Sequence, residues 1–269
     1  MTLKEAAELL SASGISEPRH EARTIFKRIG KIPDCELFSP LVFCNSPSVK
    51  DALLRRAKRE PLQYILGEAD FYRETYKVTP DTLIPREDTE ILVDYAVKNL
   101  PTGARFIDLC TGSGCIALSV LNNTKSTSAL AVDISAGALR VAKENARRLS
   151  LSDRIEFLLQ DATKPLGVDE VFAVLSNPPY VSYEAYSELE KEIYYEPRQA
   201  FVGGEDGADF YRAITPIYKN VIPKNGFIAY EIGYDQGALI KDIAKKEGMS
   251  SEIIKDLSGN DRVAVLKKA

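Results

Sequence analysis

From residue 88 onward, short apolar runs that read as strands alternate with stretches that read as helices, and this alternation limits the possible folds more than any other feature. The runs fall at 105–109, 129–133, 154–158, 171–175, 226–230 and 262–266, and helical spacing fits 89–99, 114–122, 135–149, 207–220 and 235–247. Strands apolar on both faces need cover on both faces, so the pattern predicts a mostly parallel sheet between two layers of helix. Ligands of such sheets bind beyond the carboxyl ends of the strands. Chemistry is therefore expected in the turns that follow residues 109, 133, 158 and 175.

The chain upstream reads differently and divides into two pieces. Residues 1–61 form short amphipathic helices: Thr2 and Glu5 make a capping box, Gly14 closes the first helix, Pro18 opens a second, and Ser48 begins a third that ends before Pro61. Helices this short fold only against one another, which predicts a small helical domain. In 62–84 the aromatic and β-branched residues Phe71-Tyr72 and Thr75-Tyr76-Lys77-Val78 flank a charged turn and predict a β-hairpin linker. Residues 85–269 then make the α/β domain.

Charge and composition narrow the function. Residues 1–75 hold 12 lysines and arginines against 11 acids, leaving 23 against 28 in residues 76–269. The larger part is thus net acidic, a poor match to a phosphate backbone. No apolar run is long enough to span a bilayer, and the acidic N-terminus is unlike a signal peptide, so a cytoplasmic protein is expected. Cys110 and Cys115 lack a second pair nearby to complete a zinc site. His20, the single histidine, sits in a charged stretch and reads as a surface residue.

The first strand of the alternation runs into Asp108-Leu-Cys110-Thr111-Gly112-Ser113-Gly114 and then a helix. Glycines there allow a tight turn and close backbone approach to a ligand. A dinucleotide fingerprint would place its third glycine at 117, where the chain has Ala117, a replacement that fingerprint tolerates. Asp108 favours S-adenosylmethionine instead, since a carboxylate there repels a pyrophosphate and suits a sulfonium and an ammonium. Asp133 ends the next strand, placed to accept both ribose hydroxyls under either cofactor. Asp161 and Ala162 follow the third strand and are placed to meet the adenine.

After the fourth strand stands Ser176-Asn177-Pro178-Pro179-Tyr180. Consecutive prolines fix φ twice and aim the Pro178 carbonyl rigidly. Asn177 Oδ1 and that carbonyl are suited to accept one N–H each from a planar nitrogen, exposing its lone pair to a methyl donor. Tyr180 is suited to stack on the flat group that bears the nitrogen. Methylation of an amide or amine nitrogen is the chemistry this pattern fits.

Taken with Gln63-Tyr-Ile-Leu-Gly67, Phe71, Leu83-Ile-Pro-Arg86, Thr89-Glu90, Glu196-Pro197, Gly203-Gly204, Asp206-Gly207 and Tyr211-Arg212, these motifs resemble the release-factor glutamine methyltransferases over nearly the whole chain. The resemblance implies a Rossmann-like S-adenosylmethionine-dependent methyltransferase domain of seven strands with a small N-terminal helical domain that docks the substrate. It implies N5-methylation of the glutamine in the Gly-Gly-Gln loop of class 1 peptide-chain release factors. By position, Cys110 to Gly114, Asp133, Ala162 and Asn177 meet the cofactor, and Asn177, Pro178, Pro179 and Tyr180 the glutamine. The chain departs from the pattern with Cys110 where a glycine is usual, Glu87-Asp88 after Arg86, and Ala162 in place of an aromatic.

Three other readings compete. A DNA or RNA base methyltransferase shares the tetrapeptide but wants a basic recognition region, which the acidic larger part lacks. A non-catalytic nucleotide-binding module would leave the tetrapeptide without a role, and a nicotinamide oxidoreductase conflicts with Asp108.

Overall fold

The computed structural model describes residues 1–268; Ala269, which the sequence reading places in the α/β domain, lies outside them. The chain forms two compact units, Met1–Ala69 with Glu190–Tyr195, and Asp70–Leu189 with Glu196–Ala269.

In the first unit, α1 (Leu3–Ala12), α2 (Pro18–Arg28), α3 (Pro47–Ala57) and α4 (Leu62–Leu66) pack around Leu10, Ala22, Ile25, Phe26 and Leu53, each shut off from solvent. Thr2 Oγ1 accepts from Glu5 N while Glu5 Oε2 accepts from Thr2 N, so the capping box starts α1 as the spacing predicts. Pro47 rather than Ser48 opens α3, because a proline at the first helical position surrenders an N–H that would be unpaired there anyway. Gly67 closes α4 in the left-handed region at φ 75°. The segment Glu190–Tyr195, far away in sequence, completes the unit: Arg56 donates to Glu21 and to Glu192, and Arg59 pairs with Glu192 at 2.8 Å.

The chain crosses into the second unit within β1 (Glu68–Phe71), which forms a two-stranded hairpin with β2 (Glu74–Lys77). There follow α5 (Glu90–Asn99), β3 (Arg105–Leu109), α6 (Cys115–Asn123), β4 (Ser128–Asp133), α7 (Ala136–Arg148), β5 (Ile155–Leu159), β6 (Ala173–Ser176), α8 (Tyr183–Tyr186), α9 (Asp209–Tyr218), β7 (Phe227–Glu231), α10 (Gly237–Lys246), β8 (Met249–Lys255) and β9 (Asp261–Lys268). The seven-stranded sheet has the order β5-β4-β3-β6-β7-β9-β8, parallel from β5 to β7, with β9 antiparallel to β7 and β8 antiparallel to β9. One face buries Phe106, Ala129, Ala131, Ala173 and Leu175 against α5 and α6; the other buries Ile107, Leu130, Val132, Val174 and Ile228 against α9 and α10. β8 is the strand that apolar periodicity misses. As an edge strand it is half solvated and reads Met-Ser-Ser-Glu-Ile-Ile-Lys, too polar to register as a buried run.

The sheet order reverses direction between β3 and β6. The chain moves outward from β3 through β4 to β5, then returns to place β6 on the other side of β3. Loops leaving β3 and β6 diverge at such a switch point and leave a crevice between them. The glycine loop follows one of these strands and Asn177 the other.

Candidate active site

A cleft opens at this switch point. Cys110 and Gly112 reach it from the loop after β3, Asp133 and Ile134 from the end of β4, Asp161 and Ala162 from beyond β5, and Asn177 and Pro179 from beyond β6. Ser135 and Ala138 line it at the start of α7. Asp81, Thr82 and Leu83, Pro197, Gln199 and Ala200, and Phe210 complete the wall. None of this last group is predicted as a site residue: Phe210 stands in the first turn of α9, and the others lie in segments outside the strands and α-helices, whose path the strand pattern does not fix.

The loop holds its shape through backbone bonds and one buried carboxylate. Thr111 N donates to Val132 O at 3.0 Å, Gly114 N donates to Thr111 O at 2.8 Å, and Gly112 N donates to Asp133 Oδ2 at 2.9 Å. Cys110, Gly112 and Gly114 all have φ between 56° and 82°, a region where a side chain costs about 1–2 kcal/mol. Cys110 therefore sits where glycine is the unstrained choice. A side chain at Gly112 would project into open space on the cleft side, whereas at Gly114 it would press on Leu118 and Ala142. Asn145 ties the loop to β2, donating from Nδ2 to Ser113 O and Lys77 O and accepting from Lys77 N.

Asp108 has a different place from the one its position suggests. It is fully buried behind the loop, off the cleft wall, and its Oδ2 accepts from Thr111 Oγ1 at 2.6 Å and Ala117 N at 3.2 Å. Burial raises its carboxyl to about 7. Its Oδ1 is buried and without a partner, as is Ser113 Oγ. Thr111, Ser113 and Gly114 also stay off the cleft wall, so the loop's approach to the cleft is made by Cys110 and Gly112.

Asp133 is on the wall with both oxygens engaged, Oδ2 by Gly112 N and Oδ1 by Ser135 N at 2.8 Å. Each carboxylate oxygen has a second acceptor site, so the pair remains able to take two ligand hydroxyls. Burial raises its pKa. The cap of α7 is Ser135, whose Oγ accepts from Ala138 N.

The tetrapeptide leaves β6 under clamps from three directions. Ser176 Oγ donates to Leu109 O at 2.8 Å, which locks the ends of β6 and β3 together. Gln236 Nε2 donates to Tyr180 O at 3.1 Å. Gly203 and Gly207 pack against the segment so closely that a methyl group on either would lie 2.3 Å from Pro179 O or 2.1 Å from Tyr180 O. Pro178 and Pro179 are buried and Asn177 is half-buried. Neither Pro178 nor Tyr180 lines the cleft. The Tyr180 hydroxyl donates to Glu231 Oε1 at 3.1 Å, and burial beside Glu231 raises its pKa. Thr89 Oγ1 donates to the other oxygen of Glu231, and Asn177 Nδ2 donates to Thr89 Oγ1 at 3.3 Å.

Two glutamates are held in ion pairs away from the cleft. Glu192 belongs to the helical unit through Arg56 and Arg59. Glu196 is buried and accepts from Ile84 N at 2.8 Å and from Arg86, holding the segment next to Pro197.

The wall fits S-adenosylmethionine. Its charged residues are Asp81, Asp133 and Asp161, with no lysine or arginine, which disfavours a pyrophosphate and favours a cation. Leu83, Ile134, Ala162 and Phe210 offer the apolar surface a purine needs. The sheet order and the crevice define the class: this is an S-adenosylmethionine-dependent methyltransferase. Residues 87–202 match the methyltransferase small domain and residues 2–67 the PrmC N-terminal domain. The ribosomal protein L11 methylase of Lactobacillus delbrueckii subsp. bulgaricus has the same fold at a TM-score of 0.53 and 16% identity, over 71% of this chain and 84% of that one.

Sequence relatives are closer. The release factor glutamine methyltransferases of Thermodesulfovibrio yellowstonii and Moorella thermoacetica are each 38% identical, over 93% of this chain and 92% of the first, and 97% of this chain and 95% of the second. That of Clostridium acetobutylicum is 41% identical over 80% of this chain and 78% of the relative. The chain belongs to the release factor glutamine methyltransferase family.

Proposed function

We propose that this protein transfers a methyl group from S-adenosylmethionine to N5 of the glutamine in the Gly-Gly-Gln loop of class 1 peptide-chain release factors. The observation that carries the reading is Asn177 on the wall of a cleft whose charged groups are all carboxylates, at the head of a segment that Gly203 and Gly207 pack tightly at Pro179 O and Tyr180 O. S-adenosylmethionine, when bound, supplies an electrophilic methyl group.

Asp133 is the residue to hold the ribose, and Cys110 and Gly112 bring backbone close to the amino-acid portion. Asp161 and Ala162 are placed for the adenine. Asn177 Oδ1 and the Pro178 carbonyl accept the two N–H bonds of the glutamine amide. An amide nitrogen is a poor nucleophile because its lone pair is delocalised into the carbonyl. Two fixed acceptors stabilise the positive charge that grows on nitrogen as that conjugation is lost. Pro179 and the clamped Tyr180 backbone prevent the acceptors from drifting, which keeps this geometry prepaid.

The helical unit is assigned to docking the release factor. An acceptor loop of protein suits the net-acidic larger part of the chain better than a polyanion does, so nucleic acid is not the substrate. No helix among the described residues is long and apolar enough to cross a membrane.

The test is mass spectrometry of a purified bacterial release factor incubated with the protein and S-adenosylmethionine. A single added methyl on the loop glutamine is expected. Methylation of DNA or RNA with the release factor untouched would overturn the assignment.

A further inference from the structure

We infer that Glu231, acting through Thr89, is the positioning residue that decides which way the Asn177 amide faces. Resting on the reading of Asn177 as an acceptor, this adds what makes it one.

An asparagine amide has nearly the same shape with its oxygen and nitrogen exchanged, so steric fit does not choose between the two orientations. Only one of them offers the cleft an acceptor. Hydrogen-bond partners must choose, and Asn177 Nδ2 has one, Thr89 Oγ1 at 3.3 Å. A hydroxyl alone does not settle the matter, because it both donates and accepts. If Thr89 gave its proton to Asn177, the amide would turn its oxygen to Thr89 and its NH2 to the cleft. A donor would then face the substrate N–H, and the site would repel the glutamine amide.

Glu231 removes that freedom. Burial raises its pKa, while the bonds from Thr89 and Tyr180 and the charge of Arg262 favour the ionised form, in which it only accepts: Thr89 Oγ1 donates to Oε2 and Tyr180 Oη to Oε1. With its single proton committed, Thr89 has only lone pairs left for Asn177, which must answer with an N–H. Oδ1 is then the arm turned away from Thr89. Thr89 and Glu231 are 2% and 1% exposed, so water does not compete for these bonds. The chain from carboxylate to hydroxyl to amide gives a reason for a buried acid at the end of β7 and a buried threonine just ahead of α5, neither of which lines the cleft. Tyr180 occupies the second oxygen, which keeps the first for Thr89.

The experiment compares steady-state methylation of a purified bacterial release factor by Thr89→Val, Thr89→Ser, Glu231→Met and Asn177→Ala, with S-adenosylmethionine affinity and Tm measured on each. Thr89→Val is isosteric and removes the hydroxyl; Glu231→Met keeps volume and removes both acceptors. For both, kcat is expected to fall about tenfold or more. KM for the release factor and affinity for the methyl donor should stay within about twofold, and Thr89→Ser should recover at least half of kcat. A folded Thr89→Val enzyme with kcat within twofold of the parent overturns the inference. So does a fall in kcat that merely follows donor affinity or the folded fraction, which is what a structural role would give. If Glu231→Met does not fold, the Thr89 pair decides alone. Asn177→Ala separates the two layers: if it retains turnover, the acceptor reading fails and takes the inference with it. If it is inactive while Thr89→Val is not, only the inference fails.

Discussion

The reaction proposed here turns on a few atoms whose surroundings do most of the selecting. Asn177→Ala is expected to lower the rate of transfer by roughly a hundredfold or more, since one of two orienting acceptors is lost. Affinity for S-adenosylmethionine should change much less, which calorimetry on the same variant checks. Asp133 lies on the opposite side of the crevice, and its two oxygens already hold Gly112 N and Ser135 N. Asp133→Ala should therefore do two things: weaken donor binding by about 2–4 kcal/mol through lost charge-assisted hydrogen bonds, and loosen the glycine loop. Titration calorimetry at a temperature where the variant remains folded isolates the first, and unchanged affinity would place the ribose elsewhere.

At the scale of elements, the loop after β3 and the segment after β6 are held by different physics. The first hangs on a buried acid. Asp108 shifts from 3.8 to about 7 on burial, so between those values the folded chain keeps a proton that the unfolded chain releases. Stability accordingly falls as pH rises through that window and levels off above it, by on the order of 4 kcal/mol for one fully buried group. Asp108→Asn removes the titration, and its Tm should vary less between pH 5 and 8 than that of the parent. An equal slope in both proteins would assign the pH dependence to other groups. The segment after β6 is held instead by absent side chains. Gly203→Ala would set a methyl group 2.3 Å from Pro179 O, where backbone has to give way. The expected cost is about 1–3 kcal/mol in chemical denaturation, with a loss of turnover out of proportion to it. A variant as stable and active as the parent would show that the contact is not as close as it stands.

For the molecule as a whole, the proposed division of labour assigns separate tasks to two units with separate cores. Removing residues 1–60 strips Glu192 of Arg56 and Arg59 and leaves the α/β core of Phe106, Ile107, Leu130 and Val174 untouched. The truncated enzyme is expected to bind S-adenosylmethionine within about threefold of the full chain. Its KM for intact release factor should rise about tenfold or more, and kinetics on the purified factor measure both. Equal KM values would leave the helical unit without a docking role. Neither unit offers the dense positive field that binding a phosphate backbone requires, and activity should decline only mildly as salt rises from low to physiological levels.

The strand-helix alternation, the glycine loop, Asp133 and the Asn177–Tyr180 segment were legible in the sequence because each is a local matter. A buried strand declares itself by consecutive apolar residues, a turn by glycine or proline, and an acid on the cleft wall by standing at a strand end. β8 was not legible, since a half-solvated edge strand carries no such signal. Nor was the placement of Asp108, which has the right residue type and the right spacing but is turned inward onto Thr111 and Ala117. Nor were the partners of Glu192 and Glu196: one is spent on arginines of the helical unit and the other on Ile84 and Arg86. Thr89 and Glu231 are 142 residues apart, and Glu231 ends a strand whose other residues are simply core. Only the order of strands in the sheet brings them to Asn177. Direction of a side chain and partnership across distant segments are fixed by packing, and a linear pattern holds no record of either.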